Sequence, residues 1–169
     1  IQHTLKSKSD KNTYPIPQML TNYGLIKSTY NLLNEHIKLG INIHPAGEWI
    51  LDNFYIVEES VRQIEKEITL KKYTNFVGIQ NGKYTGFARI YVLANEIVAY
   101  TDNRITGENL EKYLQAYQTK KTLNMEEIWN IGVFLQIAII QNIADICEKI
   151  YSSQIQKYKV KSIIERLVE

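Results

Sequence analysis

The sequence predicts an all-α protein, an antiparallel bundle of about six helices with one long loop, and three observations carry that prediction. Apolar residues recur at alternating steps of three and four along most of the 169-residue chain, the spacing that puts them on one stripe of a helix. Proline, glycine and capping residues punctuate this pattern where helices should start and stop. Connections after Gly86 are short, which joins neighbouring helices in antiparallel fashion.

Residues 1–13 are polar and aperiodic, with several lysines and serines, and lack the apolar surface that offsets the entropy of ordering. They are expected to form a disordered tail. Pro15 and Pro17 lead into a first helix whose stripe is Met19, Tyr23, Ile26, Tyr30, Leu33 and Ile37, with Gly40 as its stop. Pro45 suits the first turn of a second helix, in which Ile50, Phe54, Val57, Val61, Ile64 and Ile68 keep the same spacing. Gly78, Asn81, Gly82 and Gly86 then break the period, so residues 70–86 read as a long loop with a short strand-like piece near Phe76. Residues 87–100 are apolar nearly all round, which marks a helix packed on several sides. Thr106 can cap a short helix carrying Leu110, Leu114 and Tyr117. Asn124 and Glu127 form a capping pair for a long helix through Ile128, Ile131, Leu135, Ile139, Ile143, Ile146 and Ile150. Ser152 and Ser153 interrupt, and Ile155, Tyr158, Ile163 and Leu167 outline a last helix. The expected organisation is a helical domain over 14–150 and a C-terminal helix over 151–169 that links to further domains. No repeat or coiled-coil seam is evident. A start on Ile1 and an end on Glu169 inside a helical pattern suggest a fragment of a longer protein.

Composition narrows the functions. Twenty Lys and Arg against eighteen Asp and Glu, mixed along the chain, leave a net charge of +2 and no electrostatic footprint for nucleic acid. Cys147 is the single cysteine and lies in an apolar helical pattern, which fits a reducing, cytoplasmic setting and a packing role. The apolar run 131–140 is broken by Gln136 and is too short to cross a bilayer, so no direct membrane span is expected. No Gly-x-Ser-x-Gly elbow, phosphate-cradling glycine loop or Glu-x-x-His pair occurs. No catalytic residue, metal site or cofactor is therefore expected.

Two constellations remain. Glu48, Asp52 and Glu59 can share one face of the second helix, where carboxylates could act as acid and base or hold a cation. The plainer reading is a solvated face near a helix N-terminus, with Glu58 paired to Arg62 at i,i+4. Twelve tyrosines and two tryptophans could offer flat faces to sugars, but most fall on the apolar stripes. Trp49, Tyr55, Tyr84 and Trp129 are the candidates for stacking on a sugar ring.

Three stretches carry a resemblance. Residues 45–54, Pro-Ala-Gly-Glu-Trp-Ile-Leu-Asp-Asn-Phe, with Val57-Glu58-Glu59 and Val61-Arg62, resemble the P-A-A-E-W-L-L-D-N-F and I-E-E-Q-I-R signature upstream of the catalytic parts of cyclic β-1,2-glucan synthases. Residues 89–94 (RIYVLA) with 98–104 (VAYTDNR) resemble that family's R-I-Y-A-L-A and V-A-H-T-D-x-R, and Ala116-Tyr117-Gln118, Leu123 and Glu127-Ile128-Trp129 resemble its A-Y-Q, L and E-L-W. Gly47, Ser60, Ala88, Gln136 and Gln141 depart from the family pattern. The resemblance implies a large membrane-associated glycosyltransferase that extends β-1,2-glucan from UDP-glucose, of which this chain is the segment before the transferase core, at the inner face of the cell membrane. It implies a non-catalytic module that supports, docks or regulates the synthase, with the other domains of the same polypeptide as partners. The alternative is a carbohydrate-binding module that holds the β-1,2-glucan. The residues that the resemblance marks as a structural or docking cluster are Glu48, Trp49, Asp52, Asn53, Phe54, Glu58, Glu59, Arg62, Arg89, Tyr91, Thr101, Asp102 and Arg104. The polar groups of Glu48, Trp49, Asp52, Asn53 and Phe54 within it are expected to form a buried or half-buried cluster bonded to Arg89 or Arg104 on neighbouring helices.

Overall fold

The computed structural model describes residues 4–169. Among them are six α-helices: α1 (Ile16–Lys38), α2 (Pro45–Glu67), α3 (Leu70–Thr74), α4 (Arg89–Tyr100), α5 (Gly107–Gln118) and α6 (Met125–Val168). Two short strands, β1 (Leu5–Lys6) and β2 (Gly78–Ile79), pair antiparallel with Leu5 opposite Ile79. The protein is thus all-α, as the periodicity predicts. It divides into two units, one holding the chain up to Pro17 with Ile64–Ile139, the other Gln18–Gln63 with Ile140–Glu169.

In the first unit, Tyr73, Phe76, Ile79, Ile90, Leu93, Ile97 and Phe134 form the buried core. Phe76 meets Phe134 edge-on at 5.3 Å between ring centres. Here the polar N-terminal segment departs from the expected tail. Ser9 is buried, its hydroxyl donates to the Phe76 carbonyl at 2.8 Å, and its N–H donates to the Thr74 carbonyl. The Asp10 N–H reaches the Gly86 carbonyl at 2.8 Å and the Gln80 N–H reaches the Thr4 carbonyl at 2.7 Å. The Tyr73 hydroxyl accepts from the Ala88 N–H at 3.0 Å and shares a hydrogen bond with Thr13 at 2.9 Å. The reason is backbone chemistry rather than side-chain burial. The glycine-bearing stretch before α4 exposes N–H and C=O groups that no helix satisfies, and residues 4–13 supply the missing partners. Ile1–His3 lie outside the described residues. The loop expected over 70–86 likewise contains α3, capped by Thr69, and β2.

In the second unit α2 runs antiparallel to α1: Tyr23 bonds Glu58, and Phe54 stacks on Tyr30 at 4.2 Å. Between α1 and α6 the order is the reverse. Asn22 donates to Gln141 at 2.7 Å, Thr29 faces the Cys147 carbonyl at 3.5 Å, and His36 meets Gln154 at 2.8 Å, so these two helices run parallel. Nothing forbids it, because the connection between them is long rather than a tight turn. The seam has the three-four alternation of a parallel pair: Met19, Asn22, Ile26, Thr29, Leu33 and His36 are all buried. Every second member is polar, which hides the seam from a search for apolar heptads.

Gln154 explains why α6 does not break at Ser152 and Ser153. Its amide nitrogen donates to the Asn42 carbonyl at 3.2 Å and faces His36 Nδ1, while its oxygen accepts the His44 N–H at 2.8 Å. Two serines cost a helix only about half a kcal/mol each, less than this anchored amide contributes. The expected separate helix over 151–169 is therefore the last part of α6. A window of α6 is also apolar and long enough to cross a membrane by composition alone, and half of it is buried within the protein.

Two predictions follow from these contacts. A Cβ at Gly78 would collide with the backbone carbonyl of Lys8. Gly78→Ala should destabilise the protein by about 1–3 kcal/mol in urea denaturation and expose Lys6, Lys8 and Lys11 to trypsin; unchanged resistance to trypsin would show the segment unpacked. His36 has its pKa lowered chiefly by burial, against an opposing effect of the Glu35 charge and with a smaller lowering from Lys157. Below the ordinary histidine value of 6.5 the unfolded chain takes up a proton that the folded chain resists. Stability should be complete above that pH, fall as pH drops from it towards the folded-state pKa, and level off below. Urea midpoints of wild type and His36→Gln across that window should diverge in slope.

Candidate functional site

Helix α2 begins at Pro45, whose fixed φ suits a first turn, and its inner stripe of Ile50, Phe54, Val57 and Val61 is buried. The 3.6-residue period then fixes what faces outward. Trp49 and Ile56, two turns apart on one side, are 49% and 65% exposed. Glu48, Asp52 and Glu59 are exposed beside them, and Asn53 folds its amide back to the Trp49 carbonyl at 2.8 Å. The expectation of a half-buried polar cluster bonded to Arg89 or Arg104 is thus corrected, because helical geometry assigns the inner side of α2 to the apolar stripe. Phe54 and Glu58 do face inward. Phe54 stacks on Tyr30, and Glu58 accepts from the Tyr23 hydroxyl and from Arg62 at 3.0 Å. Burial and the Glu58 carboxylate push the Tyr23 hydroxyl up to about 12.

Arg89 opens α4 and is buried, with its guanidinium paired to Glu127 at the start of α6. Its Nε–H donates to Glu127 at 2.9 Å, a second N–H completes the fork, and another donates to the Thr122 carbonyl at 3.3 Å. The Tyr117 ring lies 6.0 Å from the guanidinium carbon. Glu127 also closes a capping box, accepting the Asn124 N–H at 3.1 Å while its own N–H donates to Asn124 Oδ1 at 2.9 Å. The sequence showed the capping pair; it held no sign that the same carboxylate would be claimed by Arg89. Burial opposes the Arg89 charge, but the Glu127 bonds and charge outweigh it and raise the pKa further.

Thr101, Asp102 and Arg104 form the turn after α4. The Thr101 hydroxyl donates to the Ile97 carbonyl at 2.7 Å. Asp102 and Asn103 have φ of 51° and 62°, the left-handed region that Asp and Asn tolerate better than most residues. These residues end a helix, and Arg104 is exposed.

The four stacking candidates do not form one platform. Tyr55 is exposed and turns its edge to Phe54 and Tyr30, about 120° round the helix from Trp49. Trp129 is exposed on α6 beside Met125. Tyr84 lines a cavity of about 320 Å³ with Phe87, Tyr91, Val92, Asn95, Glu96 and Ala99. Phe87 and Tyr91 stack at 5.4 Å, and the Tyr113 hydroxyl donates to Glu96 at 3.3 Å. Phe87, Asn95 and Glu96 were not singled out from sequence, since along an all-round apolar helix no period distinguishes the cavity side. Among the described residues no group of three or more His, Cys, Asp or Glu could hold a metal ion. Burial pushes the Cys147 thiol up to about 11, so it stays protonated in the core.

The resemblance seen in the motifs holds over most of the chain. It is 25% identical over 143 residues to the cyclic beta-(1,2)-glucan synthase NdvB of Rhizobium meliloti (strain 1021). That stretch is 85% of this chain but 5% of the relative, so the chain spans a small part of the protein it matches. No family model matches it.

Removing either partner of the buried pair strands the other. Arg89→Ala and Glu127→Ala should each cost about 3–5 kcal/mol in urea denaturation, whereas the double replacement Arg89→Met with Glu127→Leu should recover most of that loss.

Proposed function

We propose that this chain is a non-catalytic module of a β-1,2-glucan synthase, at the inner face of the cell membrane, and that it docks onto another part of the same polypeptide through the outer face of α2. The observation that carries the reading is the pair Trp49 and Ile56, large apolar side chains held outward about 10 Å apart along one helix side. Asp52 and Glu59 flank them with negative charge. A partner surface that fits is an apolar patch edged by lysine or arginine. The similarity to a glucan synthase supports the setting, and the small share of that relative which the chain spans supports a module rather than a whole enzyme.

A second reading, a carbohydrate-binding module, is favoured by the exposure of Trp49, Tyr55 and Trp129. Titration of the chain and of its Trp49→Ala variant with linear and cyclic β-1,2-glucans separates the two. Saturable binding that Trp49→Ala abolishes would put the carbohydrate reading first.

The docking reading predicts a split between stability and output. Trp49→Ala with Ile56→Ala, and separately Asp52→Lys with Glu59→Lys, should shift the stability of this chain by no more than about 0.5 kcal/mol, as surface changes do. In a full-length glucan synthase carrying this segment, the same changes should lower glucan output. Output equal to wild type in both double variants would remove the docking reading.

A further inference from the structure

The cavity beside α4 combines features that the outer face of α2 lacks. Its walls are aromatic, with the stacked rings of Phe87 and Tyr91 and, edge-on to Phe87 at 6.2 Å, the ring of Tyr84. Its far side is polar. Asn95 donates an amide hydrogen to the Tyr91 carbonyl at 2.9 Å and its side chain also bonds the Tyr91 hydroxyl, which fixes its rotamer and leaves its carbonyl oxygen as an acceptor. Glu96 accepts from Tyr113, which orients its carboxylate and leaves acceptor capacity on it. A volume of about 320 Å³ lies at the small end of ligand sites, enough for one ring-sized group and too little for an extended ligand.

We infer that this cavity binds one pyranose ring of a neutral glucan, with the aromatic side chains against the ring's C–H face and Asn95 and Glu96 on its hydroxyls. An amide oxygen next to a carboxylate offers a cluster of acceptors, to which the vicinal hydroxyls of a sugar can donate. The carboxylate repels phosphate, so a free sugar residue fits better than a sugar nucleotide. Aromatic carbon supplies the burial that makes a wholly polar cleft a poor binder of sugars in water. The identity of the sugar as β-1,2-linked glucose rests on the glucan-synthase reading; the cavity's preference for a neutral ring does not.

The test is titration of the whole chain with linear β-1,2-gluco-oligosaccharides, cello-oligosaccharides and UDP-glucose, followed by heat and by the aromatic proton resonances of Tyr84, Phe87 and Tyr91. The expected result is saturable binding of the β-1,2 oligosaccharide, with shifts at those three rings. Ala99→Trp, which fills the cavity from an exposed position, and Asn95→Ala should each weaken it about ten-fold or more, the loss of one well-placed polar contact. Trp49→Ala should leave it unchanged. No saturable binding of any neutral oligosaccharide, binding that survives Ala99→Trp, or a preference for UDP-glucose would each overturn the site. Binding of cello-oligosaccharide alone would overturn the β-1,2 assignment, whereas loss of glucan output in the α2 variants is read independently of all these titrations.

Discussion

A guanidinium in an apolar interior is tolerable only when its charge and its donors are matched, and in the Ile64–Ile139 unit that requirement is met by Glu127, the Thr122 carbonyl and the face of Tyr117. These partners come from the segment after α5, from α5 itself and from the first turn of α6. The pair therefore constrains more than two helices. If α6 entered one turn earlier or later, Glu127 would leave both Arg89 and its own capping box, so the pairing and the helix start fix each other. Among the described residues no fully buried side-chain nitrogen or oxygen lacks a partner. That completeness makes a buried ion pair a specifying device, although its net contribution to stability is small.

The other unit solves the same problem with neutral groups. Asn22 with Gln141, Thr29 with the Cys147 carbonyl, and His36 with Gln154 divide the α1–α6 seam into apolar and polar layers. An apolar seam alone would tolerate a slip by one heptad, whereas the Asn22 and His36 layers lose their partners when the helices slide; Thr29 keeps the Leu25 carbonyl of its own helix at 2.9 Å. The last layer does double service. Gln154 also holds the Asn42 carbonyl and the His44 N–H, so the register of α6 and the path of the chain from α1 to α2 are set by one side chain.

The helices were legible because burial repeats every three or four residues, and α2, α5 and α6 begin within a residue of where Pro45, Thr106 and Asn124 place them. What stayed hidden has one physical character. Ser9, Asn22, His36, Arg89, Glu127 and Gln154 are buried through hydrogen bonds to groups distant in the chain, and a hydropathy pattern scores such residues as surface. The same blindness made residues 4–13 look like a tail and made the α1–α6 seam invisible. Of the candidate cluster, Phe54, Glu58, Arg89, Thr101 and Asp102 have positions that packing or turn geometry explains. The cavity residues Phe87, Asn95 and Glu96 could be found only once the contacts of α4 were known.

That partition bears on function. Residues that carry the resemblance to glucan synthases fall into an inward group, accounted for by Glu127, Tyr23 and the left-handed turn after α4, and an outward group of Glu48, Trp49, Asp52 and Glu59 that the fold does not use. An exposed indole gains nothing from the packing of its own helix, and burying it against a partner recovers apolar area that solvent now covers. The carboxylates beside it do not pair into the interior as Glu58 does. On the docking reading, their contribution is to the field that a partner meets, where opposite charge speeds encounter and like charge rejects. An interior matched by its own polar pairs therefore leaves the outer face of α2 free to be shaped by what it touches.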